Sequence, residues 1–294
     1  MEILKFDLNS SGSKFKILNS TNGGPWHRRY ANDQFRSNFA DYKSARIPYS
    51  RNHDSAVCGI YGGPYSHDIT YIFPNFDADP YDAESYDFAC TDESILVCLD
   101  AGTETFFRLG QTIEHQIKKH GEIPPKDFQK WAIICEHIIR HYNEGWANGY
   151  RLGIEYWEIW NEPDLNHFWY PKTPNGKDYG EFVKLTGSAI REMNKDAKIG
   201  TVVASPYNFE YIDDMLNCFD KNDINFFCYH AYTTAPEFRF PALIKALRNK
   251  LDSRGLCDVE LWQGESGYPS WDYENHWLVK SGCNNETPQA VFLL

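Results

Sequence analysis

The chain has 294 residues, of which 42% are hydrophobic, 24% charged and 16% aromatic, and the hydrophobic and charged shares are those of a globular protein with a sizeable core. With 29 Lys and Arg against 41 Asp and Glu the net charge is −12, a field that repels phosphate backbones and anionic membrane surfaces, so nucleic acid and membrane partners are set aside. No apolar run of about 18 residues occurs, which excludes a transmembrane helix. The N-terminus MEILKFDLNSSGSKF carries no signal-peptide core, and a cytoplasmic location is expected from that. Neutral ligands feel no net charge, so sugars remain open. The 9 Trp, 19 Tyr and 19 Phe supply apolar faces with polar handles, which a sugar ring needs.

Strand-like and helix-like stretches alternate along the chain. FKILNS (15–20) reads as a first strand ending in the turn-rich STNGGP, and SARIPYSR (44–51) as a second. Residues 52–94 are rich in Gly, Pro, Asp and Tyr and read as a long loop after the second strand. Its length and its aromatics, Tyr61, Tyr65, Tyr71, Phe73 and Phe76, favour a functional role. ILVCLDAG (95–102) reads as the third strand, KDFQKWAIICEHIIRHYNEG as an amphipathic helix, and IEYWEIWNEP (154–163) as the fourth strand. A helix over EFVKLTGSAIREMN, a strand AKIGTVVAS (197–205) and a helix YIDDMLNCFD follow. NFFCYHAY (225–232), the helix ALIKALRNKL and VELWQGES (259–266) complete seven strands.

This alternation predicts parallel βαβ units, and the length suits one (β/α)8 TIM barrel, so residues 1–294 are read as a single domain. The units run to about 41 residues each, longer than in a minimal barrel. On that spacing the chain stops inside helix seven, and strand eight is expected to be missing.

Cysteine and histidine patterns point to no metal or cofactor. Eight cysteines form no CxxC pair, and Cys98, Cys135 and Cys228 lie in apolar runs that suit free buried thiols. His137 and His141 stand i, i+4 beside Glu136, but the order is EHIIRH rather than HExxH, on a helix outside the proposed barrel.

Two strand ends carry the chemistry. EYWEIWNEPD puts Glu162 where a parallel strand meets its loop, the edge at which barrel enzymes react. Asn161 is placed to bond a substrate hydroxyl, and Pro163 to restrict the backbone of Glu162. VELWQGESG delivers Glu265 in the same way, between Gly264 and Gly267. The 103 residues from Glu162 to Glu265 hold three βα units of about 34 residues, so the two carboxylates fall on strands four and seven and face each other across the mouth. A pair roughly 5–5.5 Å apart performs retaining glycoside hydrolysis, one as nucleophile and one as acid then base.

On these motifs the sequence resembles the clan A glycoside hydrolases, most of all family 39, the β-xylosidase and α-L-iduronidase group. The resemblance runs from the NGGP turn to the ETPQAVFLL stretch. It implies Glu162 as acid/base after Asn161, and Glu265 as nucleophile. It further implies an Arg-x-His pattern at the end of strand two, read on Arg51, Asn52, His53 and Asp54. A His-x-Tyr pattern at the end of strand six falls on His230 and Tyr232. FFRLGQTIEH, taken to follow strand three, also looks like the family. The expected function is retaining O-glycoside hydrolysis of a β-xyloside-like or related glycoside, with an oligosaccharide or glycoside as the partner. Arg51, His53, Asp54, Asn161, His230, Tyr232 and Trp262 are the expected substrate-side residues. Glu162 is expected to hold its proton through an apolar surrounding such as Trp160 and through the second carboxylate. The alternative is a catalytically impaired carbohydrate-binding protein with an incomplete barrel.

Overall fold

Seven strands pair in sequence order, each parallel to the next: β1 (Thr21–Asn22), β2 (Tyr49–Asn52), β3 (Glu104–Leu109), β4 (Tyr156–Ile159), β5 (Lys198–Val203), β6 (Phe226–Tyr232) and β7 (Glu260–Gly267). The computed structural model describes residues 19–25, 38–52, 67–110, 122–170, 173–233, 235–267, 271–272 and 277–278. Between the strands run α1 (Phe39–Ala45), α2 (Ile69–Ile72), α3 (Ala89–Asp100), α4 (Phe128–Asn143), α5 (Gly176–Met193), α6 (Phe209–Leu216) and α7 (Pro236–Ser253). The sheet curls until β2 and β7 meet across its interior, where Arg51 and Glu265 are 2.9 Å apart. This is the TIM-barrel architecture, with seven strands in place. None of the described helices is long and apolar enough to cross a membrane.

The alternation of side chains along each strand builds two cores. Phe107, Leu109, Trp157, Ile159, Phe227, Tyr229 and Ala231 point outwards and join one large cluster with the helices. Their neighbours Phe106, Tyr156, Val202, Phe226 and Cys228 point inwards and fill the barrel. A strand covered on both faces reads as a nearly continuous apolar run, as these do. The helices supply their own caps: Asp127 accepts from the Lys130 amide at 3.0 Å, and Asn175 from the Lys177 amide at 2.9 Å. Buried Tyr179, Phe182, Val183, Thr186 and Ile190 make one stripe of α5, the helical spacing that holds it to the sheet.

Three predicted strands are displaced. ILVCLDAG is not the third strand but the C-terminal part of α3 and its turn, with Thr91, Ile95 and Cys98 on the buried side. A short apolar run cannot distinguish a buried strand from a buried helix; the preceding ACTDES extends this one to twelve helical residues. Gly102 then turns the chain at φ +77, and FFRL itself forms β3. The second strand is Tyr49–Asn52 alone, because FADYKSA forms α1. For the first strand, residues 15–18 lie outside the described residues, and pairing falls on Thr21–Asn22 within the predicted turn.

The long loop holds α2, a short turn of helix at Ala83–Ser85 and half of α3. Its residues 53–66, with Tyr61 and Tyr65, lie outside the described residues. The six described cysteines are all free thiols.

Candidate active site

The C-terminal ends of β2, β4, β6 and β7 converge on one group of charged side chains. Arg51 sits at its centre, buried. Its Nε and Nη2 donate to Glu158 Oε1 at 2.9 and 2.5 Å, Nη2 also to Asn161 Oδ1 at 2.9 Å, and Nη1 to Glu265 Oε1 at 2.9 Å and Asn22 Oδ1 at 3.2 Å. Burial alone would depress the guanidinium, but the charges of Glu158 and Glu265 outweigh it and hold its pKa above the usual range.

Glu265 reaches this group through a β-bulge. The β6–β7 register runs Tyr229 to Gln263 and then His230 to Glu265, so Gly264 is the extra residue. Strict alternation would send Glu265 away from the interior faced by Trp262 and Gly264; the bulge turns it back in. No side chain fits at position 264, where a Cβ would lie 2.4 Å from Cys228 Sγ and 3.2 Å from His230 Nε2. The second Glu265 oxygen accepts from the Tyr232 hydroxyl at 2.8 Å. Tyr232 is 55% exposed, and partial burial with the Glu265 charge raises its pKa.

Glu162 follows β4 on strained backbone. Its φ is +45 and that of Trp160 is +70, where side chains are disfavoured. A following proline favours extended backbone instead, so the restriction expected from Pro163 does not set this conformation. Such strain, about 1–3 kcal/mol per residue, is characteristic of functional sites. Glu162 Oε1 stands 2.7 Å from His230 Nδ1, which is also 3.7 Å from Glu265 Oε2. An oxygen of each carboxylate and a ring nitrogen of His230 all lie within 4.8 Å of one another.

Burial raises the pKa of Glu162, while the charges of Arg51 and His167 act against the rise. The expected cause was partly wrong. Trp160 packs its ring on Trp131 and Phe182 of the helices, at 5.6 and 6.1 Å, and its Nε1 donates to Phe168 O at 2.7 Å. His230 is neutral near pH 7, since burial, aided by Arg51, lowers its pKa to about 4. Two buried atoms here, Asn161 Nδ2 and His230 Nε2, have no hydrogen-bond partner among the described residues. Groups of this kind are normally satisfied, which fits a pocket built for polar ligand atoms. The Glu162–His230–Glu265 cluster is not read as a metal centre, because Arg51 already lies 2.9 Å from Glu265.

Arg51, Asn161, Glu162, His230, Tyr232 and Glu265 are brought together in one group at the strand ends. His53 and Asp54 lie outside the described residues. Trp262 belongs to the layer below, with ring centroids 5.5, 5.1 and 4.9 Å from Tyr49, Phe106 and Tyr156, and its Nε1 donates to Glu260 at 2.7 Å. His141, weighed as a metal ligand, has Nε2 3.0 Å from Asp92 and Nδ1 3.0 Å from Trp146 O. Sequence reasoning missed two residues. Glu158 could have been found as the one charge inside the apolar strand YWEI. Asp164 accepts from the amides of Ala204 and Ser205 at 2.8 and 2.7 Å and ties the loop after β5 to the Glu162 loop; no sequence signal marks it.

A parallel barrel with carboxylates at the ends of β4 and β7 is the architecture of the barrel glycoside hydrolases. Residues 66–251 match the profile of Glycosyl hydrolases family 39. The chain belongs to that family. A β-xylosidase of Geobacillus stearothermophilus is 30% identical over 118 residues, 38% of this chain and 22% of the relative. A β-xylosidase of Caldicellulosiruptor saccharolyticus is 24% identical over 235 residues, 73% of this chain and 44% of the relative. The chain thus spans less than half the length of these two relatives. Among solved structures, a glucosidase from Croceicoccus marinus superposes with TM-score 0.69 at 18% identity, over 94% of this chain and 66% of that one. A family 39 β-xylosidase from Caulobacter crescentus gives 0.59 at 16% identity, over 90% and 57%. At such identity the likeness is one of fold.

Proposed function

We propose that the chain is a single catalytic barrel domain that hydrolyses a β-xyloside-like O-glycoside with retention of configuration. The observation that carries this reading is the pair of carboxylates, with oxygens within 4.8 Å, in contrasting surroundings. Glu162 is buried with a raised pKa, which suits an acid. Glu265 accepts from Arg51 and Tyr232, bonds that suit an ionised nucleophile.

In the first step a Glu265 oxygen attacks the anomeric carbon, the glycosidic C–O bond breaks, and the Glu162 proton passes to the leaving oxygen. A glycosyl ester on Glu265 results. In the second step Glu162, now ionised, takes a proton from water, whose oxygen displaces Glu265 from the anomeric carbon. Neutral His230 serves both states: its Nδ1 accepts from protonated Glu162 and, as the other tautomer, donates to the carboxylate. Asn161 Nδ2, left free by the Arg51 bond to Oδ1, is placed to donate to the sugar 2-hydroxyl.

Aryl β-xyloside, β-glucoside, β-galactoside and α-L-arabinoside turnover tests the activity, and proton NMR of the first-formed sugar tests the stereochemistry. Retained configuration is expected. The inverted anomer as first product would overturn the mechanism, and binding without turnover would leave a carbohydrate-binding protein. Glu162→Gln is expected to slow poor leaving groups by about 10²–10⁴-fold and activated ones far less, because only the former need the proton.

A further inference from the structure

We infer that Glu158 is a positioning residue for the proposed nucleophile: it draws part of the Arg51 charge away from Glu265, so that Arg51 orients Glu265 without quenching its reactivity. The inference rests on the glycosidase reading for its rate consequences and on geometry alone for its electrostatics.

The geometry is a line of three charges inside the barrel. Glu158 is fully buried and takes two of the Arg51 N–H bonds on one oxygen, at 2.9 and 2.5 Å. Glu265 takes one, at 2.9 Å. The guanidinium is thus shared two to one in favour of a carboxylate that reaches no reacting atom. A buried arginine needs one partner to be tolerated, and Glu265 alone would supply it. With that single partner, Arg51 would bind Glu265 at full charge and stabilise the resting anion, which must give up its charge on attack.

The sharing also fixes direction. With Nε and Nη2 held by Glu158, the guanidinium plane is set, and Nη1 points at Glu265 at 2.9 Å and at Asn22 Oδ1 at 3.2 Å, while Nη2 keeps Asn161 Oδ1 at 2.9 Å. Described groups near Glu265 also include the Tyr232 hydroxyl, neutral His230 and the Glu162 carboxyl, with Cys228 Sγ below Gly264. Of the described carboxylates here, Glu158 and Glu265 form the ion pairs with Arg51. Glu158 is also set apart by its place: it lies three residues before Asn161, on an inward position of β4 shared with Tyr156, where an apolar residue would pack.

The test is the titration of the Glu265 side-chain carbon by NMR in protein labelled at the glutamate carboxyl carbons, assigned with Glu265→Gln. In Glu158→Gln the midpoint of Glu265 should fall by about one pH unit, since a neighbouring anion has been removed and the cation kept. Glu158→Asp, whose carboxylate stands further from Arg51, should shift it the same way by less. In activity assays the acid limb of kcat/KM should move down with the midpoint. The weaker base should lower kcat by up to about tenfold while KM changes little. An unchanged or raised midpoint in a folded variant would overturn the inference and leave Glu158 a structural residue. If Glu158→Gln does not fold, the Asp variant decides by the same sign. The NMR midpoint is read without substrate, so a chain that hydrolyses no glycoside would refute the proposed function and still allow this inference to be judged.

Discussion

The floor and the mouth of this barrel are made by the same strands, two or three residues apart, and they are built on opposite terms. At the floor Tyr49, Phe106, Tyr156, Phe226 and Trp262 interlock, with ring centroids 4.9–5.6 Å apart. Their polar tips are met: Lys198 Nζ donates to the Tyr156 hydroxyl at 2.8 Å, and that hydroxyl and Trp262 Nε1 donate to Glu260 at 3.0 and 2.7 Å. Phe226 lies flat on Gly200, where a Cβ would come within 2.1 Å of its ring. One step up each strand, Tyr49 gives way to Arg51, Tyr156 to Glu158 and Phe226 to Cys228. The mouth crowds charges, keeps Glu162 on strained backbone and leaves polar atoms unmet. The contrast shows where this fold gains stability and where it gives stability up at the proposed site.

Four changes break or sharpen that contrast, the largest first. Glu265→Gln should lower kcat by about 10⁴-fold or more and leave the thermal midpoint within a few degrees or raise it, as burst kinetics and calorimetry would show. If the activity survived, Glu265 would not be the nucleophile. Phe226→Ala should do the reverse. It empties the floor and should destabilise by about 3–5 kcal/mol, measured by urea unfolding, while the folded fraction keeps most of its kcat. A loss of kcat at unchanged stability would erase the division between the two layers.

Acid should act on the stability of the mouth and its flank. His230, with its pKa lowered to about 4, and His67, lowered to about 3 by burial and by Arg108, are neutral in the fold. The unfolded chain takes up these protons first, near 6.5, so stability is full above that pH and falls between 6.5 and about 4 for His230 or about 3 for His67. His230 is worth on the order of 3 kcal/mol over its window and His67 on the order of 5 kcal/mol. Urea unfolding at pH 7, 5 and 4 should show the decline, and His67→Gln should make it shallower; the same slope in that variant would remove His67 from the account. The smallest effect belongs to Lys198→Met. Its carboxylate partners Glu155 and Glu260 are partly exposed, and a change of about 1 kcal/mol or less is expected from those pairs, with activity untouched.

Much of the site was legible because barrel strands end where chemistry begins. Glu162 and Glu265 each close an apolar strand, His230 and Tyr232 close another, and Arg51 interrupts a fourth. Less of the fold was legible in the first hundred residues. There the apolar run of α3 is too short to separate helix from strand on its own pattern, and the third strand lies in the segment that follows it. The role of Glu158 is not legible from sequence alone, because it depends on which face of β4 is inward.

The sequence by itself determined the parallel alternation of strands and helices, the family, and the two carboxylates 103 residues apart, since periodicity and strand-end position are local properties. Only the tertiary structure decided which groups share charge. Arg51 and Glu158 are 107 residues apart and Arg51 and Glu265 are 214 apart, and no local pattern carries those pairings. Nor does the motif Gln263-Gly264-Glu265 disclose that an extra residue turns the carboxylate inwards. That depends on the register of β7 against β6, which the packing of the whole barrel fixes.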